Sequence, residues 1–257
     1  MKWPAQLVII RHAESQYNIL KGLKLKDPLY GRFLEAYGRD YRSSEARELA
    51  GEVRKKYALD ASDAKTGLTP EGKSKALEMG TVLGSKLIHT PHVIFVSPYV
   101  RTVETLEYIK LGWPALKDAK IIPDDRIREQ EHGLALLYND RRVFHVFHPE
   151  QKELLNLQGP YWYRFPQGES VSQVRDRLRS FLATLIREYS NYRVMLITHH
   201  ITILSIRATL ERLSPQEFIR LDKEEKPLNC GLTIYMGNPW VGREGRLELQ
   251  QYNKQLY

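Results

Sequence analysis

The chain has one cysteine, Cys230, among 257 residues. No disulfide can close within it, and such sparing cysteine use suits a reducing compartment. Nowhere does it approach the ~18 consecutive apolar residues that a membrane-spanning helix requires. The longest apolar run near the start, Ala5 to Ile10, is interrupted by Gln6, and no small-residue cleavage site follows. That pattern argues against a secretory leader. Gly/Ser-rich linkers, low-complexity tracts and internal repeats are missing. So are the Gly-x-Ser-x-Gly elbow of serine hydrolases and the His-Glu-x-x-His pair of zinc peptidases. The expectation is a soluble, cytoplasmic protein with no membrane partner.

What is present is ordinary globular usage, with 42% hydrophobic and 27% charged residues. At this length one large domain or two small ones are possible. Lys plus Arg is 39 against 31 Asp plus Glu, a net charge of +8, which favours anionic partners through long-range steering. The basic residues are interleaved with acids, however. The densest clusters, Arg54-Lys55-Lys56 and Arg141-Arg142, are short and read as solvated faces. Charge alone selects no nucleic acid.

Three short apolar runs read as buried strands: Leu7–Ile10, Val93–Val96 and Val194–Ile197. Helix patterns separate them. Thr69-Pro70-Glu71 supplies a capping hydroxyl, a proline for the first turn and an acid near the positive end of the helix dipole. Leu77, Gly80, Leu83 and Leu87 then recur at helical spacing. Ser170 and Gln173 have capping-box spacing. The stripe Val174, Leu178, Phe181, Leu182, Leu185 and Tyr189 follows them. Strands alternating with helices imply an α/β fold with a largely parallel sheet. Two segments break the rhythm, at about 19–67 and 138–166. In the first, Phe33, Tyr37, Tyr41, Leu49, Val53 and Tyr57 recur at helical spacing and predict one or two inserted helices. The simplest organisation is one domain over 1–257 with two insertions.

Each strand run ends in chemistry-bearing residues: Arg11-His12 after the first, Ser97 to Arg101 after the second, Thr198-His199-His200 after the third. In open α/β sheets ligands bind beyond the carboxyl ends of the strands. Arginine grips phosphate oxygens as a bidentate fork and keeps its charge. A neutral imidazole is a competent nucleophile near neutral pH. Phosphoryl transfer is therefore the chemistry this set suits.

The motifs resemble those of the histidine phosphatase superfamily, the group that includes cofactor-dependent phosphoglycerate mutases. Arg11-His12-Ala13-Glu14-Ser15 with Asn18, Leu68-Thr69-Pro70-Glu71-Gly72, Ser97-Pro98 with Arg101-Thr102 and Thr105, Arg128 to Gly133, Phe165 to Ser170, and Thr198-His199 occur in the family's order. The resemblance implies a three-layer α/β/α sandwich. It implies His12 as the phosphorylated nucleophile and Glu129 as general acid and base, with Glu131 the rival carboxylate. Arg11, Arg101 and His199 would bind the phosphoryl group, Asn18 would complete the pocket, and Ser15 would assist. No metal or organic cofactor is implied. Ala13 stands where the family usually has glycine. His200 stands where it has a small residue, facing either the substrate or away from it.

A phosphatase and a bisphosphoglycerate-dependent mutase would share this phosphohistidine. The familiar mutase segment after the first motif, with its Thr-Gly-Trp, is missing here, and the first insertion takes its place. Hydrolysis of a small phosphate ester is the preferred reading. A catalytically inactive phosphate-ester binder is a further alternative, against which the complete set of candidate residues argues. His145 with His148, and His89 with His92, have metal-ligand spacing but no further ligands beside them. Tyr30, Tyr37, Tyr41 and Tyr57, near Arg32, Arg39 and Arg42, would suit base stacking but fit a packed helix face better. Both insertions are expected to cover the strand ends as a cap, with Tyr161, Trp162, Tyr163 and Phe165 serving as substrate contacts or local core. Oligomeric state is not legible.

Overall fold

The computed structural model describes residues 2–59 and 61–256, all but residues 86 and 87 with their side chains. In chain order the elements are β1 (Gln6–Arg11), α1 (Gln16–Lys26), α2 (Pro28–Asp40), α3 (Ser44–Lys56), α4 (Pro70–Val82), β2 (Val93–Val96), α5 (Val100–Gly112), β3 (Lys120–Pro123), α6 (Arg141–Phe147), α7 (Pro149–Gln158), α8 (Val171–Glu188), β4 (Arg193–Thr198), α9 (His200–Leu210), α10 (Pro215–Glu224), β5 (Leu232–Asn238) and β6 (Arg246–Lys254). They fall into two compact units. The first comprises the chain up to Ser15, Gly67–Glu129, and from Val174 on; the second comprises Gln16–Thr66 and Gln130–Gln173.

The first unit is built on a sheet of order β3-β2-β4-β1-β5-β6. The pairings from β3 to β1 are parallel, and β5 and β6 add an antiparallel edge. Both faces are covered, which explains why the central strands read as continuous apolar runs. Val8, Ile10, Ile94, Val96, Met195 and Ile197 pack on one side with Met79 of α4 and Ile109 of α5. Their alternates, Leu7, Ile9, Val93, Phe95, Val194 and Leu196, pack on the other with Leu178 of α8 and Ile206 of α9. Period-two strands between helices of period 3.6 make the three-layer α/β/α sandwich.

Helix starts follow their caps. Thr69 Oγ1 accepts from Gly72 N at 2.9 Å, and Ser170 with Gln173 forms the expected reciprocal box. The buried face of α4 differs from the one spacing predicted. Leu77 is 42% exposed, while Ala76, Met79 and Leu83 are buried. The close backbone approach of Gly80 to Ile109 on α5 sets which face turns inward. Leu87, the last residue of that predicted stripe, has its side chain outside the described residues.

Among the described residues, the first segment of the second unit holds three α-helices rather than one or two. Tyr30, Phe33, Ala46, Val53 and Tyr57 form its core with Val143 and Val146 of α6. Asp27, Ser43 and Asp140 cap α2, α3 and α6 with side-chain oxygens. Asp140 is also buried against Lys24 at 3.0 Å and accepts from Tyr30 Oη at 2.6 Å. The buried rings of Tyr30 and Tyr57 are packing residues, not an open stacking face. Tyr161, Tyr163 and Phe165 are likewise buried, whereas Trp162 is 58% exposed.

Candidate active site

Arg11 pairs in register with Thr198, and Val96 with Ile197. His12, Ser97 and His199, the residues that follow, therefore leave the sheet at one edge. Arg101 enters from the first turn of α5, and His199 caps the start of α9.

His12 is 3% exposed. Its Nδ1 lies 2.7 Å from the carbonyl oxygen of Ala13. A carbonyl only accepts, so Nδ1 carries the proton and the neutral ring keeps its lone pair on Nε2. Burial, then the charges of Arg11 and Arg101, holds the His12 imidazole well below its ordinary range. His199 is fully buried, and its Nε2 lies 2.7 Å from Ser97 Oγ. That oxygen also accepts from Tyr99 N at 3.5 Å, and its own proton can be given to Nε2. His199 Nδ1 then carries its own proton, and it has no partner among the described residues. A buried, unanswered N–H is costly unless an acceptor arrives, and a phosphoryl oxygen is a fitting one. Burial first, then Arg101 and His12, depresses the His199 imidazole as well.

The two guanidiniums supply the positive charge. Arg101 is 4% exposed, with its guanidinium over the Tyr99 ring at 4.9 Å. Arg11 donates through Nη1 to Pro227 O at 2.7 Å, while its buried Nε has no partner among the described residues. Desolvation lowers the Arg11 pKa, Glu129 opposes that, and Arg101 reinforces it. Glu129 thus sits within the same field. Its Oε1 accepts from Ile201 N at 3.2 Å, at the amino end of α9. Thr198, Thr202 and Arg177 hold the backbone of 127–129 in place.

The first unit therefore brings together Arg11, His12, Arg101, Glu129 and His199. Ser15 is buried in the same unit and bridges Leu68. Asn18 lies on α1, in the second unit. Glu131 also lies in the second unit, where its backbone brackets Glu169: Glu169 N donates to Glu131 O at 2.7 Å, and Glu131 N to Glu169 Oε2 at 3.2 Å. Gly133 and Gly168 permit that crossing, because a Cβ on either would strike the facing backbone. Those two motifs thus have a structural reason to exist. Glu14 has one too, since its backbone and carboxylate both take hydrogen bonds from Thr69 at the start of α4. Ala13 is fully buried in the core, and its extra methyl is absorbed there. His200 turns its Nε2 to within 2.8 Å of Asp222 Oδ1 on α10.

Of the histidines with metal-ligand spacing, His145, His148 and His92 have other partners. His145 Nδ1 lies 3.4 Å from Tyr37 Oη, His148 Nε2 lies 2.8 Å from Tyr138 Oη, and His92 Nδ1 accepts from Arg193 N. Among the described residues no group of three or more His, Cys, Asp or Glu is placed to hold a metal ion. Nor is any helix there long and apolar enough to cross a membrane.

Sequence reading missed the supporting residues: Ser97 as the partner of His199, Arg177 behind Glu129, and the 226–231 loop beside His12. Ser97 was visible as part of a motif. The other two carry no local pattern.

A family model described as the histidine phosphatase superfamily (branch 1) matches residues 51–243, a span that begins after β1 and its Arg11-His12 pair. A phosphoglycerate mutase-like protein of Arabidopsis thaliana is 29% identical over 195 residues, 68% of this chain and 66% of that protein. Phosphoserine phosphatase 1 of Hydrogenobacter thermophilus is 25% identical over 144 residues, 56% of this chain and 64% of that one. The chain thus spans about two thirds of the length of these curated relatives. Among solved structures, mycobacterial glucosyl-3-phosphoglycerate phosphatase in complex with inorganic phosphate matches with a TM-score of 0.64 and 18% identity, covering 98% of each chain. A putative alpha-ribazole-5'-P phosphatase of Escherichia coli matches with a TM-score of 0.66 and 15% identity, over 98% of this chain and 97% of that one. At these identities the two structures speak to the fold alone.

Proposed function

The chain belongs to the histidine phosphatase superfamily, and from that premise we propose that it hydrolyses a small phosphate monoester through a phosphohistidine at His12. The observation that carries this reading is the buried group of His12, His199 and Arg101 at one sheet edge, with the part-buried Arg11 beside it. His12 Nε2 attacks phosphorus as the ester P–O bond breaks, and Glu129 gives a proton to the departing oxygen. Water then loses a proton to Glu129 and attacks phosphorus, the P–N bond breaks, and phosphate leaves. Arg11, Arg101 and the His199 Nδ1–H hold the equatorial oxygens, where transition-state charge is spread. Ser15 and Asn18 join the phosphate-binding set by resemblance. A substrate-selecting role for the second unit is part of the same proposal.

Relatives bear both phosphatase and mutase-like names, and the same phosphoenzyme would serve either reaction. The test is a panel of phosphomonoesters that includes both monophosphoglycerates, with phosphate release and isomer interconversion scored together for wild type and His12→Ala. The proposal expects release by wild type alone. Interconversion without release, stimulated by bisphosphoglycerate, would make the protein a mutase. No turnover of any ester by folded wild type would favour a phosphate-ester binder.

A further inference from the structure

The loop between α10 and β5 returns to the end of β1 and holds it at several points. Pro227 O accepts from Arg11 Nη1 at 2.7 Å. Asn229 Nδ2 donates to His12 O at 2.9 Å. Cys230 N donates to Arg11 O at 3.1 Å, and Arg11 N donates to Gly231 O at 3.3 Å. Beyond the last rung of a sheet the backbone needs partners from elsewhere, and here one loop supplies them to two consecutive residues. Cys230 adopts a left-handed conformation, φ 53°, rare for such a residue. It turns the loop so that its own N–H and the Asn229 amide both face β1.

A single side chain on the last strand holds this loop in turn. Asn253 Oδ1 accepts from Leu228 N at 2.6 Å, and Asn253 Nδ2 donates to Lys226 O at 2.8 Å. Asn253 is itself left-handed, φ 55°, a region asparagine tolerates better than most residues. Gly231 beside it has no room for a Cβ, which would meet Asn253 Oδ1.

We propose that Asn229 and Asn253 are positioning residues for phosphoryl transfer: Asn229 sets the aim of His12 through its carbonyl, and Asn253 sets it through the 226–231 loop. The proposal rests on the phosphatase reading. Its physical basis is that in-line attack tolerates little misplacement, with ~1 Å costing about 10²-fold.

The test compares binding of two anions by calorimetry. Vanadate mimics the five-coordinate transition state and requires an aimed imidazole, whereas inorganic phosphate requires mainly the guanidiniums. The variants are Asn229→Ala, Asn253→Gly and Asn253→Asp, glycine being chosen because it keeps the left-handed backbone without strain. Asn229→Ala should weaken vanadate about 10- to 100-fold and leave phosphate within about twofold. Asn253→Gly should act in the same direction but less. Asn253→Asp should recover part of the loss, because an oxygen still accepts from Leu228 N. Thermal melts report whether each variant folds, and on any hydrolysed ester kcat should fall while KM holds. Equal weakening of both anions, or unchanged vanadate binding by folded variants, would overturn the proposal. Wild type that bound neither anion would sink the phosphatase reading and this proposal with it.

Discussion

The rings of His12 and His199 lie 5.3 Å apart between centroids, tilted by 59°, and both are buried. Two imidazolium ions there would repel each other and the guanidiniums of Arg11 and Arg101. Burial first, and those charges second, keep both rings neutral far below the ordinary imidazole range. The positive charge of the site thus resides on arginines that never lose it, while the candidate nucleophile keeps its lone pair.

That arrangement has a consequence for stability. In the unfolded chain both histidines take up protons as pH falls through ~6.5. In the folded chain they resist until their own depressed values are reached. Their contribution is therefore full above ~6.5 and is lost progressively as pH falls below it, by up to about 1 kcal/mol per pH unit for each histidine. Urea unfolding of the phosphate-free protein at pH 7.5 and 5.5 checks this. The slope attributable to the pair should disappear in a His12→Gln, His199→Gln double variant. Equal dependence on pH with and without the pair would contradict it.

Arg101→Lys should be far from conservative. The replacement keeps one charge but loses the planar fork and the stacking on Tyr99. We expect kcat/KM to drop about 10²–10³-fold, on the scale seen for loss of one transition-state donor, with melting little changed.

Ser97→Ala removes the hydroxyl that holds His199 Nε2 at 2.7 Å. Phosphate affinity should fall about 10- to 100-fold, as when the outer partner of a functional histidine is removed. Ser97→Thr, which keeps the hydroxyl, should retain more affinity than Ser97→Ala. The check is inhibition by inorganic phosphate.

In the second unit, Asp140→Ala leaves Lys24 buried without its charge partner. The cost should be about 3–5 kcal/mol. Replacing Lys24 with methionine in the same chain should restore much of it, because the stranded charge is then gone. Denaturant midpoints of both variants against wild type decide this.

The central strands were legible because covering both faces of a parallel sheet forces continuous apolar runs, and Val93–Val96 was read to the residue. β3 was not, since it has only four residues and is mostly exposed. β5 and β6 were missed for a related reason: an antiparallel edge tolerates polar residues, and β6 buries Leu247 alone. Helix α1 carries Leu23 and Leu25 at 55% and 66% exposure, so it lacks the apolar stripe by which helices are found. At the site, Arg11 was visible because it ends a strand, His12 and His199 because each directly follows one, and Arg101 because it lies shortly after one. Glu129 entered only through the family resemblance. Asn229 and Asn253 had no local signal, because their roles depend on hydrogen bonds between distant parts of the chain.

The central claim is a covalent phosphohistidine at His12. The most direct measurement mixes wild type with a turned-over ester labelled in its phosphoryl group, quenches in alkali during turnover, and maps the labelled peptide. The account predicts one alkali-stable, acid-labile label on His12, lost in His12→Ala together with phosphate release. Turnover with no label on His12, or with the label on another residue, would contradict it.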